Sequence, residues 1–247
     1  MPTAPAIGFA GYVTVAPPTG GYWRVSTWPD VFEPPAPAPP LGTPPEEDDG
    51  HRFDDPAGVF RTLYCTTEPE GALGECLGEF AFNAAAAARI ETFLESEPDE
   101  GHDEAYQRPL SREDIDAFQW KLGHSPSRAA RLIDVDHWRT YFAAAPRALP
   151  ALARYGIKRF DRHTLLDERR YVTRTMAGVY RADATSDSGE LKASGLRFTS
   201  RLPPAWECWA LWEPLAFGVA EARVEDVTID TPALRSAASI LGVVLGA

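Results

Sequence analysis

Residues 51–78 read HRFDDPAGVFRTLYCTTEPEGALGECLG, and this stretch decides the fold class. Val59, Phe60, Leu63 and Tyr64 make 58–66 a strand. Thr67 is placed to cap the helix that follows, Pro69 suits its first turn, and the neighbouring acids favour the positive end of its dipole. That helix carries Ala72, Leu73, Cys76 and Leu77 on one side, with Glu75 beside them. A strand thus runs directly into a helix.

Working outward, Tyr22-Trp23-Arg24-Val25 reads as a short strand with an Arg set among β-formers. Residues 1–20, rich in Pro, Gly, Thr and Ala, read as a flexible N-terminal arm. Between the two strands, 33–50 forms a Pro-rich acidic insertion, too polar for a core element. Downstream, 84–94 has high helix propensity and 97–104 is an acidic loop. Ser111-Arg112-Glu113-Asp114 has capping-box character, which predicts a helix to about Leu122. Further helices are expected at 136–145, 148–155 and 167–181, and strands at 195–200, 208–212 and 221–229. Thr231-Pro232 opens a C-terminal helix. Strands at both ends with helices between them predict an α+β domain over 21–247, with a mixed or antiparallel sheet core and surrounding helices.

The chain has 247 residues and a net charge of −12, an acidity that disfavours nucleic-acid partners. Hydrophobic residues make up 44%, enough for a sizeable core. No run reaches the ~18 apolar residues of a membrane helix. Cys65, Cys76 and Cys208 are odd in number and far from any His cluster, which points to reduced thiols and no metal site. A cytoplasmic protein is expected. Neither a GxGxxG nor a Walker pattern supports a Rossmann or P-loop site, and Ser200 lies outside any Gly-x-Ser-x-Gly elbow.

Three motifs carry chemistry. The first is Trp23-Arg24-Val25. The second is Arg52-Phe53-Asp54 with the strand through Tyr64 and Glu75 eleven residues beyond it. The third is Gly195-Leu196-Arg197-Phe198-Thr199-Ser200-Arg201, followed by Cys208-Trp209-Ala210-Leu211-Trp212. Their order and spacing resemble the RES-domain family, over roughly 22–215. Arg24 matches its first Arg, Arg52 and Phe53 its Arg-aromatic pair, and Tyr64, Glu75 and Ser200 the remaining three. His51 stands where a Gly often precedes that pair, and Phe53 where Trp is frequent.

The resemblance implies an ADP-ribosyltransferase-like fold that takes NAD as substrate. It implies hydrolysis or phosphorolysis of the nicotinamide–ribose bond in a toxin paired with an Xre-type antitoxin, or transfer of ADP-ribose to a protein acceptor. A RES-fold binding module without turnover is the non-enzymatic alternative. The residue types suit the chemistry. Breaking an N-glycosidic bond builds positive charge on the ribose, which the Glu75 carboxylate can stabilise. Arg24 and Arg52 can grip a pyrophosphate bidentately. Tyr64 or Phe53 can stack on a flat cationic ring, and Ser200 can hydrogen-bond the ribose or the amide. Glu75, Arg52 and Ser200 are the expected catalytic residues; Arg24, Arg52, Phe53, Tyr64 and Ser200 are the expected NAD contacts.

Overall fold

A computed structural model describes residues 6–42, 50–81, 109–127, 131–165, 169–202, 205–213 and 222–246. The expected helix at 84–94 and the acidic loop at 97–104 lie outside the described residues, as do 43–49 of the Pro-rich insertion. The strands are β1 (Ala6–Ile7), β2 (Val13–Val15), β3 (Tyr22–Ser26), β4 (Thr62–Thr66), β5 (Lys121–Ser125), β6 (Leu132–Asp134), β7 (Gly195–Thr199), β8 (Glu207–Trp212) and β9 (Arg223–Asp226). They form one sheet in the order β1-β2-β6-β7-β8-β4-β3-β5-β9. The β6–β7 pair is parallel, and the other described pairs are antiparallel. The protein is therefore α+β, with a mixed sheet assembled from distant segments. Both β1 and β2 come from the 1–20 stretch, whose Tyr12 is fully buried.

The helices are α1 (Pro69–Leu77), α2 (Arg112–Phe118), α3 (Trp138–Ala153), α4 (Arg162–Leu165), α5 (Arg170–Ala184) and α6 (Pro232–Leu241). Helix α3 packs on α5, and α1 on α6. Strand pleating gives the sheet two chemically distinct faces. On β8, Cys208, Ala210 and Trp212 join the core under α3 and α5. Trp209 and Leu211 point the other way, to Tyr22, Val31, Phe32, Leu63 and Cys65. A third cluster lies under α1, α2 and α6, where Trp23 and Val25 of β3 meet Leu73, Leu77, Ile115 and Leu234.

Several boundaries differ from expectation. Strand β4 starts at Thr62, because Val59 and Phe60 give their N–H groups to the Asp55 carboxylate in the loop before it. Helix α2 stops at Phe118 because Gln119 turns left-handed, at φ 52°, and 121–125 becomes β5, paired along all of β3. The two helices expected at 136–145 and 148–155 are one. Pro146 and Pro150 sit on its exposed side, while Thr140, Ala144, Ala148 and Leu152 recur at four-residue spacing and are buried. Packing of that stripe outweighs the two missing backbone donors. Glu68, not Thr67, occupies the cap position of α1. The Thr67 hydroxyl instead donates to Glu207 at 2.7 Å and accepts from Trp209 Nε1 at 2.9 Å, which ties the start of α1 to β8.

Candidate functional site

The loop before β4 is held in place by carboxylates and by α5. Asp55 accepts the backbone N–H groups of Ala57, Val59 and Phe60 at 3.1, 2.5 and 3.0 Å. Asp54 accepts His51 N–H at 2.7 Å and the Tyr64 hydroxyl at 2.9 Å. The same hydroxyl accepts Phe53 N–H at 2.8 Å. From α5, the fully buried Arg174 donates to the carbonyls of Pro39 and Asp55 at 2.5 and 2.7 Å, and Arg170 to that of Gly50 at 2.7 Å. The residue that emerges from this scaffold is Arg52. Its guanidinium lies over the rings of Phe53 and Phe198, 5.1 and 5.3 Å from their centroids. Burial, reinforced by repulsion from Arg201, lowers the Arg52 pKa to about 10.

Register explains what else reaches this point. Phe198, Cys208, Thr66 and Trp23 are directly opposed across β7, β8, β4 and β3, so they share one face. Tyr64 is two residues from Thr66 on the same face. Helix α1 crosses this face, and its Glu75 projects at the end of β7. There the Ser200 hydroxyl donates to Glu75 Oε1. The Ser200 oxygen also accepts Leu202 N–H at 3.0 Å, which fixes its rotamer. The Cys208 thiol stands 3.9 Å from the same Glu75 oxygen. Close packing brings α1 down onto the sheet: a Cβ on Gly74 would come within 2.2 Å of the Trp206 indole. Ser200 is buried, whereas Glu75 is exposed, so the carboxylate is held from behind and open in front.

Arg52, Phe53, Tyr64, Glu75 and Ser200 thus converge from three chain segments. Phe53 is fully buried and supports Arg52 from below, and the Tyr64 hydroxyl is engaged in holding the 51–54 loop. Arg24 stands apart. It follows Trp23 in β3 and so points to the opposite face, beside Gly123, where a Cβ would press within 2.7 Å of Val31. Its guanidinium donates to the carbonyls of Val31 and Glu33, and burial lowers its pKa. Strands β3 and β4 pair only at Trp23↔Thr66 and part beyond it. A cavity of about 320 Å³ opens beside β3, lined by Arg24, Trp28, Glu33, His51, Cys76 and Trp120 among others. His51 and Cys76 each neighbour a member of the Arg52–Glu75 cluster, so the cavity adjoins it. The ring of His51 lies edge-on to Tyr64, with centroids 5.3 Å apart.

Several of these residues escape a sequence reading. Phe198 and Cys208 read as core strand positions, and His51 as an incidental neighbour of Arg52. Adjacency to Arg52 was the one available signal for His51.

The cluster is a buried arginine facing a carboxylate that a serine hydroxyl orients, built on an α+β fold. No family model matches the sequence, and no curated protein matches it. Among solved structures, the chain is similar to one in the M. tuberculosis MbcT-MbcA toxin-antitoxin complex, at 12% identity and a TM-score of 0.38, over 90% of this chain and 88% of that one. That likeness is too loose to carry an argument about this protein. Among the described residues no helix is long and apolar enough to cross a membrane.

Proposed function

We propose that the protein cleaves the nicotinamide–ribose bond of NAD. The observation that carries this reading is the Ser200–Glu75 hydrogen bond, which joins residues 125 apart and leaves the carboxylate facing solvent beside the Arg52 guanidinium. In the reaction, the bond from ribose C1′ to the pyridinium nitrogen breaks and its electron pair goes to nicotinamide, which leaves neutral. The ribose becomes oxocarbenium-like. Glu75 stabilises that charge or accepts a ribose hydroxyl, and Ser200 keeps the carboxylate in one orientation. Arg52, a planar cation on two aromatic rings, binds the pyrophosphate. Water or inorganic phosphate then adds at C1′. The leaving group needs no proton, so no His is required as an acid.

Incubating the protein with NAD, with and without phosphate, and following nicotinamide by chromatography tests the proposal. Release in both conditions is expected for hydrolysis, and release that depends on phosphate for phosphorolysis. Release only on adding a protein acceptor redirects the reading to ADP-ribose transfer. Neither release nor calorimetric binding of NAD would overturn it and favour a binding module. A toxin role under an Xre-type antitoxin belongs to the same reading and is tested by whether induced expression lowers cellular NAD and arrests growth.

A further inference from the structure

The chain is acidic, yet one contiguous part of it is not. Residues 138–165, which span α3, the turn after it and α4, hold six Lys and Arg against one Asp, a local charge of +5 that leaves −17 on the remainder. All six cations are exposed. Arg147 pairs with Asp183 and Arg159 with Asp161. Arg139, Arg154, Lys158 and Arg162 enter no ion pair among the described residues, in a chain where carboxylates outnumber cations by 36 to 24. The same surface bears Trp138 and Phe142, 53% and 65% exposed, one helical turn apart with ring centroids 6.0 Å apart. The Arg139 guanidinium lies over the Trp138 ring at 5.2 Å. Tyr141 meets Phe160 at 6.5 Å, which brings the cationic 158–162 segment back beside α3. Large exposed aromatics beside one unpaired cation, on a segment that carries three more, mark an interaction surface.

We propose that the exposed face of α3, with the segment through α4, docks an acidic polypeptide segment of a partner protein that carries an aromatic or aliphatic anchor. Length and charge select this occupant. The helix is about 24 Å long, the span of a short peptide. At physiological salt, fields fall off over about 8 Å, so a peptide confined to the patch meets the local +5. An extended polyanion, whether duplex nucleic acid or an anionic bilayer, reaches beyond the patch and is repelled by a chain that is acidic as a whole. The anchor packs on the exposed surface of the Trp138–Phe142 pair, and carboxylates pair with Arg139 and Arg162.

A random Glu–Tyr copolymer serves as the probe, with poly-Glu, duplex DNA and phosphatidylserine vesicles as comparators, each titrated by fluorescence anisotropy or co-sedimentation at low and physiological salt. The expected result is binding of the copolymer that weakens as salt rises, weaker binding of poly-Glu, and none of DNA or vesicles. Trp138→Ala with Phe142→Ala lowers copolymer affinity about tenfold or more. Arg139→Glu with Arg162→Glu abolishes its salt dependence. All four side chains are exposed, so the variants keep the wild-type circular dichroism and melting temperature. Failure of the wild type to bind the copolymer, equal affinity in the variants, or tighter binding of DNA or vesicles would overturn the proposal. NAD turnover enters none of these readouts, so the outcome is separate from that of the proposed function.

Discussion

Two arginines of this protein, Arg52 and Arg24, sit on opposite faces of one sheet, and their surroundings differ in kind. Arg52 rests on two aromatic rings, within electrostatic reach of the Glu75 carboxylate that Ser200 orients. Arg24 gives its donors to the carbonyls of Val31 and Glu33, so it ties the 27–33 loop to β3. Burial lowers the pKa of both. The difference lies in what each faces: a group open to solvent in one case, backbone in the other. Under the proposed function the first arrangement is the one that meets a ligand, whereas a cation bound to backbone carbonyls holds a loop in place. Arg24 still reaches the wall of the cavity that His51 and Cys76 also line.

The largest effect that would break this contrast is at Glu75. Glu75→Gln keeps the shape and the acceptor for Ser200 but removes the charge, and nicotinamide release is expected to fall about 10³-fold, the scale of a lost transition-state electrostatic contact. The melting temperature should move by no more than a degree or two, because Glu75 is exposed. Wild-type turnover in that variant would remove Glu75 from the chemistry.

Next comes the charge of Arg52. With its pKa lowered to about 10, Arg52 is a cation below that pH and loses its proton as pH rises through it. Affinity for an anion is therefore present at neutral pH and declines in a one-proton step centred near 10. ADP-ribose binding, read by calorimetry across that range, checks this without requiring turnover. Arg201 is the second cause of the lowering, after burial, so Arg201→Ala is expected to shift the step upward. A step that ignores Arg201 would mean that burial alone sets it. Arg52→Lys, which cannot spread over Phe53 and Phe198, should cost about tenfold in ADP-ribose affinity.

Arg24 should respond in stability first. Arg24→Ala strands the carbonyls of Val31 and Glu33 and is expected to destabilise by about 2 kcal/mol. For a chain of this size that lowers the melting temperature by about 4–8 °C. A variant that melts normally yet loses ADP-ribose affinity would reverse the assignment and make Arg24 a ligand contact like Arg52.

How much of this was legible depended on sequence distance. The block from Arg52 through Tyr64 to Glu75 is local: a strand leads into a helix, and Pro69 sets the helix start. Its parts fall where the residue types imply, except that Val59 and Phe60 stay in the loop before β4. The placement of Ser200 against Glu75 follows from β7 pairing with β8 and β8 with β4, contacts that no spacing encodes. Arg24 was legible as a strand residue, but not its face, because Tyr22, Trp23 and Val25 all have apolar side chains and give no polar alternation to orient the strand. In α3, Pro146 and Pro150 suggested a break that a buried four-residue stripe overrode. Tyr64 and Phe53 read naturally as stacking residues. Only the burial of Phe53 and the hydrogen bonds of the Tyr64 hydroxyl set them behind Arg52.

The smallest expected effect tests whether the cavity and the Arg52 cluster form one site. Cys76 is half-buried on the cavity wall, whereas Cys65 and Cys208 are buried. Burial pushes the Cys65 thiol up to about 12, and burial together with the nearby Glu75 carboxylate raises that of Cys208 well above its usual range. Neither forms thiolate at neutral pH, so iodoacetamide should label Cys76 first, by intact-mass spectrometry a single adduct. Glu75→Gln removes one cause of the Cys208 shift and should speed its slow labelling. If the cavity receives part of the ligand held by Arg52, saturating ADP-ribose slows Cys76 labelling severalfold. Undiminished labelling under saturation would separate the two regions and leave the cavity outside the binding site.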